Sequence, residues 1–308
     1  MTEHVLDASE IHRGWDRERT ARLTIDPGDT VHVEVRQVVD GFLTRDATAE
    51  DVEFERFQGH PLTGPIDIRD AEPGDVLEIH IESITVDDWG VTLILPGAGL
   101  LPDDFDRIAL NIWEFDTDVA QFRPGIEIPV EPFCGVMGCA PAEFGHLSSA
   151  PPRRVGGNLD CQQLTAGATL WLPVEVPGAR FSLGDAHAAQ GDGEVCVTAI
   201  ETGLRDITVR FDLHKDRPLS APEFRHGVHA PVWDTTDWFA TTGVEDDLLT
   251  AARAAVRRMI DHLVAERGLS REDAYILCSV AVDLRINEIV NAGRYVVSAN
   301  LPEAIFVG

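Results

Sequence analysis

The feature that most limits what this chain can fold into is its punctuation. Short runs of alternating apolar and polar residues are broken by Gly and Pro as far as about residue 240. Residues 22–36 alternate on either side of Asp26-Pro27-Gly28-Asp29, and residues 66–84 do the same around Ala71-Glu72-Pro73-Gly74-Asp75. Pro presets φ and Gly supplies a positive φ, so each stretch reads as strand, turn and strand. The two PGD turns are too isolated a similarity to make a repeat. Further runs at 91–95, 169–173, 194–200 and 207–213 read as short strands, with no helical period among them. The expected fold is mainly β, a sandwich or barrel-like body.

The period changes only near the end. Leu248, Leu249, Ala252, Ala255, Val256, Met259, Ile260, Leu263 and Val264 follow helical spacing across 245–266, with Thr242-x-x-Glu245 as an expected capping box and Gly268 as the stop. A second helix is expected from Ser270 as N-cap with Asp273 at N3, followed by a strand over 295–301. Residues 1–240 are thus expected to form a β-rich body, and 241–308 a C-terminal α+β portion packed on it.

Composition narrows the partners. The 308 residues carry 53 Asp and Glu against 25 Lys and Arg, a formal net charge of −28, and Lys215 is the single lysine. Basic residues cluster no further than pairs such as Arg153-Arg154 and Arg257-Arg258, so no nucleic-acid or membrane-surface partner is expected. Carboxylates in excess over the whole length suit a surface adapted to a salt-rich cytoplasm, where screening relieves their self-repulsion. MTEHVLDASE has no basic segment followed by an apolar run, which points to a cytoplasmic protein. The five cysteines form no CxxC pair, which argues against a disulfide framework or a zinc knuckle.

Three stretches could carry chemistry. Gly184-Asp185-Ala186-His187-Ala188-Ala189-Gln190-Gly191-Asp192-Gly193-Glu194 interleaves an imidazole and three carboxylates with glycines, a backbone able to bend donors around a cation. In a chain this acidic, about two acids fall in such a window by chance, so the carboxylates alone decide nothing. Gly156-Gly157-Asn158-Leu159-Asp160 is either a plain turn or a place where Asn158 and Asp160 share a face. Cys134-Gly-Val-Met-Gly-Cys139 offers a thiol that is either a nucleophile or a small buried hydrophobe, and His12 is either an incoming ligand or a satisfied histidine.

Taken in order, Ala71-Glu-Pro-Gly-Asp75, Gly156-Gly-Asn-Leu-Asp160, Leu172-Pro-Val174, the stretch from Phe181 to Glu194, Ala274-Tyr-Ile-Leu-Cys-Ser279 and Ile289-Val-Asn291 resemble the acetamidase/formamidase family over nearly the whole chain. The resemblance implies hydrolysis of a small-molecule amide such as formamide or acetamide to carboxylate and ammonia. It also implies a predominantly β fold with a small C-terminal α/β portion, a bound divalent metal, usually zinc, and a homo-oligomer; calcium is the alternative ion for a donor set rich in oxygen. The chain departs from the family pattern at Cys134 and Cys139 and around Arg36 to Ala47.

Amide hydrolysis needs a polarised carbonyl, an activated water and a proton for the leaving nitrogen. On this reading Asp160 and His187 are metal ligands, completed by Asp185, Asp192 or Glu194, with Asp185 taken as the third. Glu194 is the general base and proton shuttle, Asp192 the further catalytic acid, and Asn158 the group that hydrogen-bonds the amide or the developing oxyanion. Lysine-dependent amidase triads and carbamylated-lysine sites are disfavoured, because Lys215 stands in Leu-His-Lys-Asp with no Gly-Ser-Ser beside it. The alternatives are a non-catalytic β-sandwich module holding a structural cation, and an amidohydrolase for a larger amide.

Overall fold

Both PGD turns are corners between sheets. In the computed structural model, which describes residues 1–53, 56–115, 118–226, 237–290 and 293–307, the strand Leu23–Ile25 pairs in parallel with Leu62–Ile68 in one sheet, while Thr30–Val35, just past the first turn, joins another. The second turn does the same, passing the chain from Leu62–Ile68 to Val76–Val86. The strand-turn-strand expectation holds, but the strands flanking each turn face one another across the core rather than pairing.

The first sheet has six strands, in the order Glu3–Leu6, Thr30–Val35, Leu204–His214, Val76–Val86, Thr169–Pro173 and Glu223–Arg225. Its inward face is regular: Val31, Val33, Leu77, Ile79, Ile207, Val209 and Phe211 are buried at alternate or neighbouring positions. The second sheet has eight strands, running Gly156–Asn158, Phe133–Gly138, Phe181–His187, Glu201–Thr202, Trp89–Ile94 and Ala109–Glu114, with Leu62–Ile68 and Leu23–Ile25 branching from Phe181–His187. Phe181 of the second sheet meets Phe211 of the first edge-on at 5.2 Å, one of the contacts that close the sandwich.

The strand Phe181–His187 is buried along its whole length. Sequence reading assigns no strand there, because a strand covered on both faces shows no alternation and Gly184, Asp185 and His187 are poor strand formers. Conversely, 194–200 is turn and bend rather than strand, with Glu194 and Val197 at φ 44° and 79°. Val195, Cys196, Ala199 and Ile200 are buried from this irregular stretch, while Val197 is exposed.

The C-terminal portion has a three-stranded sheet, Trp238–Glu245, Tyr295–Pro302 and Asp283–Glu288, and two helices, α1 (Leu248–Arg267) and α2 (Arg271–Ala281). Ser270 caps α2 and Gly268 ends α1 at φ 67°, as expected. The capping box at Thr242 and Glu245 does not form. Both residues extend a strand paired to Tyr295–Pro302, and Asp247 caps α1 instead, accepting from Thr250 N at 2.8 Å. Asn291 lies outside the described residues.

Helix α2 holds the loop that follows Phe181–His187. Ser279 O accepts from Gly191 N at 2.9 Å, Ser279 Oγ accepts from Cys196 N and donates to Thr198 O, and the Tyr275 hydroxyl donates to Val195 O. Gly191 packs so closely on the Val282 backbone that no β-carbon would fit. None of the helices among the described residues is long and apolar enough to cross a membrane.

Candidate active site

The buried strand Phe181–His187 and its neighbours bring the sequence-selected groups together. Asp185 and His187 lie on it, and His187 is the direct cross-strand partner of Glu201. Glu194 comes from the loop clamped by α2. Asp160 comes from the turn after Gly156–Asn158, where Leu159 N and Asp160 N both donate to Gly135 O and Gln190 Nε2 donates to Asp160 O. The His187 Nε2 atom has Glu201 Oε2 at 3.3 Å, Asp185 Oδ1 at 3.7 Å and Glu194 Oε1 at 3.9 Å. His60 Nε2 stands 3.5 Å from the second Asp185 oxygen, and the Phe133 ring meets the His187 ring edge-on at 5.0 Å.

The donor atoms form two overlapping sets, Asp160 with His187 and Glu194, and Asp185 with His187 and Glu201, each lying within 4.8 Å. Both His187 nitrogens, Asp160 Oδ1 and Glu201 Oε2 are buried without a hydrogen-bond partner among the described residues. Buried polar atoms are otherwise almost always paired, so a convergent group of orphans asks for a ligand. The backbone agrees: Asp160, Asp185 and Glu194 have φ of 47°, 57° and 44°. Each such conformation costs on the order of 1 kcal/mol for an L-residue, and three of them converge on one point.

Electrostatics explain why the arrangement is tense. Burial pushes the Asp160 carboxyl up to about 7, and burial followed by the nearby Asp160 charge pushes Glu194 well above the usual carboxylate range. Burial works against Asp185 too, yet His60 and His187 hold it down at about 2. For His187, burial opposes the imidazolium but Glu201 and Asp185 outweigh it, raising it well above 6.5. Like charges about 4 Å apart repel by roughly 4 kcal/mol at an effective dielectric of 20. Four carboxylates cannot all ionise around one imidazole without further positive charge.

A cavity of about 320 Å³ opens onto this cluster, with His60, Asn158, Asp185, Glu194 and Glu201 in its lining. The Asn158 amide donates through Nδ2 to Ala150 O at 3.1 Å, and its Oδ1 is buried and unpartnered. Of the sequence-selected residues, Asn158, Asp185 and Glu194 line the cavity, and Asp160 and His187 belong to the donor cluster that Asp185 and Glu194 share. Asp192 does not: its carboxylate accepts from Gln163 Nε2 at 3.0 and 3.1 Å, and its N–H donates to Asp283 at 2.9 Å, tying the loop to the C-terminal sheet. His12 is a satisfied histidine, with Nδ1 2.8 Å from Gly14 O and Nε2 2.9 Å from Ser182 Oγ. The Cys134 thiol, fully buried and pushed up to about 12 by burial, is no nucleophile.

Sequence reasoning passes over Glu201, His60 and Gly135. Glu201 reaches the site by strand pairing and His60 by a loop, neither of which local sequence signals. Gly135 sits inside the stretch read for its cysteines.

The comparisons place the chain in one family. A family model described as the Acetamidase/Formamidase family matches residues 2–144 and 145–307. The formamidase of Methylophilus methylotrophus is 27% identical over 96% of this chain and 89% of its own length. The solved acetamidase of Bacillus halodurans is 30% identical, with a TM-score of 0.68 and 99% of each chain covered. A gamma lactamase from Delftia acidovorans, 24% identical, shares the fold with a TM-score of 0.90 over 98% of this chain and 93% of its own. Fold and relatives define a mainly β amidohydrolase, an enzyme that splits amide C–N bonds with water. Within that class the chain belongs to the acetamidase/formamidase family, and a purely structural binding module no longer describes it.

Proposed function

We propose that the chain hydrolyses primary carboxamides to carboxylate and ammonia at the polar end of this cavity, with a divalent cation held by Asp160, Asp185 and His187 and joined by Glu201. The observation that carries the reading is the convergence, beside Gly135 and Asp185, of buried donor atoms of Asp160, His187 and Glu201 that have no partner among the described residues. An imidazole nitrogen with carboxylate oxygens suits zinc, and the surplus of oxygen donors also suits a harder ion such as calcium. When bound, such a cation supplies Lewis-acid polarisation and the compensating positive charge that four carboxylates require.

The chain's own groups supply the rest. Glu194 borders both the cavity and His187, which suits it to take a proton from water and return it to the leaving nitrogen. Asn158 is held by Ala150 with Oδ1 left over as an acceptor, so it orients the substrate through an amide N–H rather than stabilising the oxyanion. His60 fixes Asp185 from the side away from His187. Asp192 drops out of the chemistry and anchors the loop.

The test is ammonia release from primary amides in high salt, with and without chelation, in wild type, Asp160→Ala and His187→Ala. Activity in wild type that is lost on chelation and in both variants is expected. Full activity after exhaustive chelation, or in both variants, rules out the cation and the site respectively.

A further inference from the structure

We propose that this enzyme acts on primary amides R–CO–NH2 in which R is a bulky apolar group, branched or aromatic, rather than on formamide or acetamide. The inference rests on the amidase reading above and deepens it.

The cavity of about 320 Å³ is divided by chemistry. Apart from Thr198, its polar lining residues are Asn158, His60 and the carboxylates around His187. The remaining walls are made mostly by apolar side chains, among them Val38, Val39, Phe42, Val52, Phe57 and Leu95. Formamide offers no carbon to such walls and acetamide a single methyl, so either would leave most of the space to water against apolar surface. Sites with this partition, a few convergent polar groups and a large apolar remainder, bind ligands whose apolar part fills the remainder.

Half of the apolar lining residues come from one segment. Residues 38–53 and 56–57 contribute to a small cluster of their own, in which Val38, Val39 and Leu43 are buried with Val91, while Phe42, Val52 and Phe57 lean against it. The segment is tied to the site at two points. Gln37 Nε2 donates to Glu201 O at 3.1 Å, and the Phe57 ring meets the His60 ring edge-on at 5.3 Å. An apolar wall bonded to the backbone of one reacting-site residue and packed on another sets what can lie beside them.

The acyl side is assigned to these walls, because Asn158, which lines the cavity and whose Oδ1 has no partner among the described residues, is the acceptor left for the amide nitrogen. The reaction balances as R–CO–NH2 + H2O → R–CO2⁻ + NH4⁺: water's oxygen bonds the carbonyl carbon, the C–N bond breaks, and the leaving nitrogen keeps the electron pair and gains protons.

Each methylene taken from water into an apolar wall is worth about fourfold in an equilibrium constant. The experiment measures kcat/KM by ammonia release for formamide, acetamide, butyramide, hexanamide and phenylacetamide, using the metal-loaded enzyme in high salt. The expected result is a climb of up to about fourfold per carbon, carried mainly by falling KM, with phenylacetamide at least about 100-fold above acetamide. A maximum at formamide or acetamide overturns the proposal while leaving the amidase reading intact, whereas silence on every amide overturns both. Faster cleavage of N-benzylacetamide than of phenylacetamide overturns the acyl placement. Val39→Phe and Phe42→Ala, which narrow and strip the walls, should each lower the ratio of phenylacetamide to acetamide kcat/KM by at least about fivefold. An unchanged ratio in whichever of them folds counts against the assignment.

Discussion

Gly135 and Asp160 fit together so closely that a β-carbon on residue 135 would stand 2.5 Å from Asp160 Oδ1, with His187 Cε1 at 2.9 Å and Asp185 Oδ2 at 3.0 Å. The same glycine's carbonyl accepts from the backbone of Leu159 and Asp160, so it both carries the Asp160 turn and leaves the room that three side chains share. Gly135→Ala should therefore act on the site rather than on the fold. Its expected signature is a loss of at least about 100-fold in kcat/KM, as for a misplacement of about 1 Å, with bound metal well below wild type and an unchanged far-ultraviolet spectrum. Wild-type metal content and activity in Gly135→Ala would contradict the convergence described above.

Removing the proposed cation should cost stability as well as activity. Four carboxylates and one imidazole lose their compensating charge, and a ligand that binds only the native state stabilises it by a few kcal/mol at concentrations well above its Kd. The melting temperature is expected to fall by about 5 °C or more on chelation and to recover when zinc or calcium is restored. An identical melting curve with and without chelator would speak against a native cation.

His12 should give the fold a pH dependence that is independent of the active site. Burial, helped by Arg19 and His146, lowers it from 6.5 to about 4, against the opposing hydrogen bond to Gly14 O. The neutral ring is the one that fits, so its contribution is complete above pH 6.5. It is lost as pH falls from 6.5 toward 4, where the unfolded chain takes up a proton that the folded one refuses. The loss is on the order of 3 kcal/mol. Denaturant titrations of wild type and His12→Gln should show the wild-type advantage shrinking by that amount between pH 7 and pH 4. Parallel curves would mean that His12 does not titrate as its surroundings dictate.

The surplus of acids predicts a response to salt. With a formal charge of −28, self-repulsion across the surface is relieved as the screening length drops from about 10 Å at 0.1 M to about 3 Å at 1 M. The melting temperature should rise between dilute buffer and molar KCl, with or without added divalent cation. A flat or falling profile would dissociate the composition from salt adaptation.

Much of the site was legible because its residues are contiguous: Asp185, His187 and Glu194 lie in one stretch, and Asn158 and Asp160 in another. Asp192 shared that stretch and its chemistry, yet its side chain turns to Gln163, since a bend at Gly191 and Gly193 sends neighbouring carboxylates in different directions. Glu201 and His60 were illegible for the opposite reason. Each is an ordinary residue locally and becomes part of the site only where a strand pairs opposite His187 or a loop folds back on Asp185. The segment around Arg36 to Ala47, which departs from the family pattern, supplies Val38, Val39 and Phe42 to the cavity wall.

By itself the sequence determined the mainly β class, the C-terminal helices with their Ser270 cap and Gly268 stop, and the family. These depend on local periodicity, turn chemistry and ordered motifs, which a chain carries wherever it goes. Only the tertiary structure decided that the PGD turns cross between sheets, that 181–187 is a strand buried on both faces, and which carboxylates share His187. Those outcomes depend on which surfaces exclude water together, and pairing between distant strands leaves no period in the residues that join them.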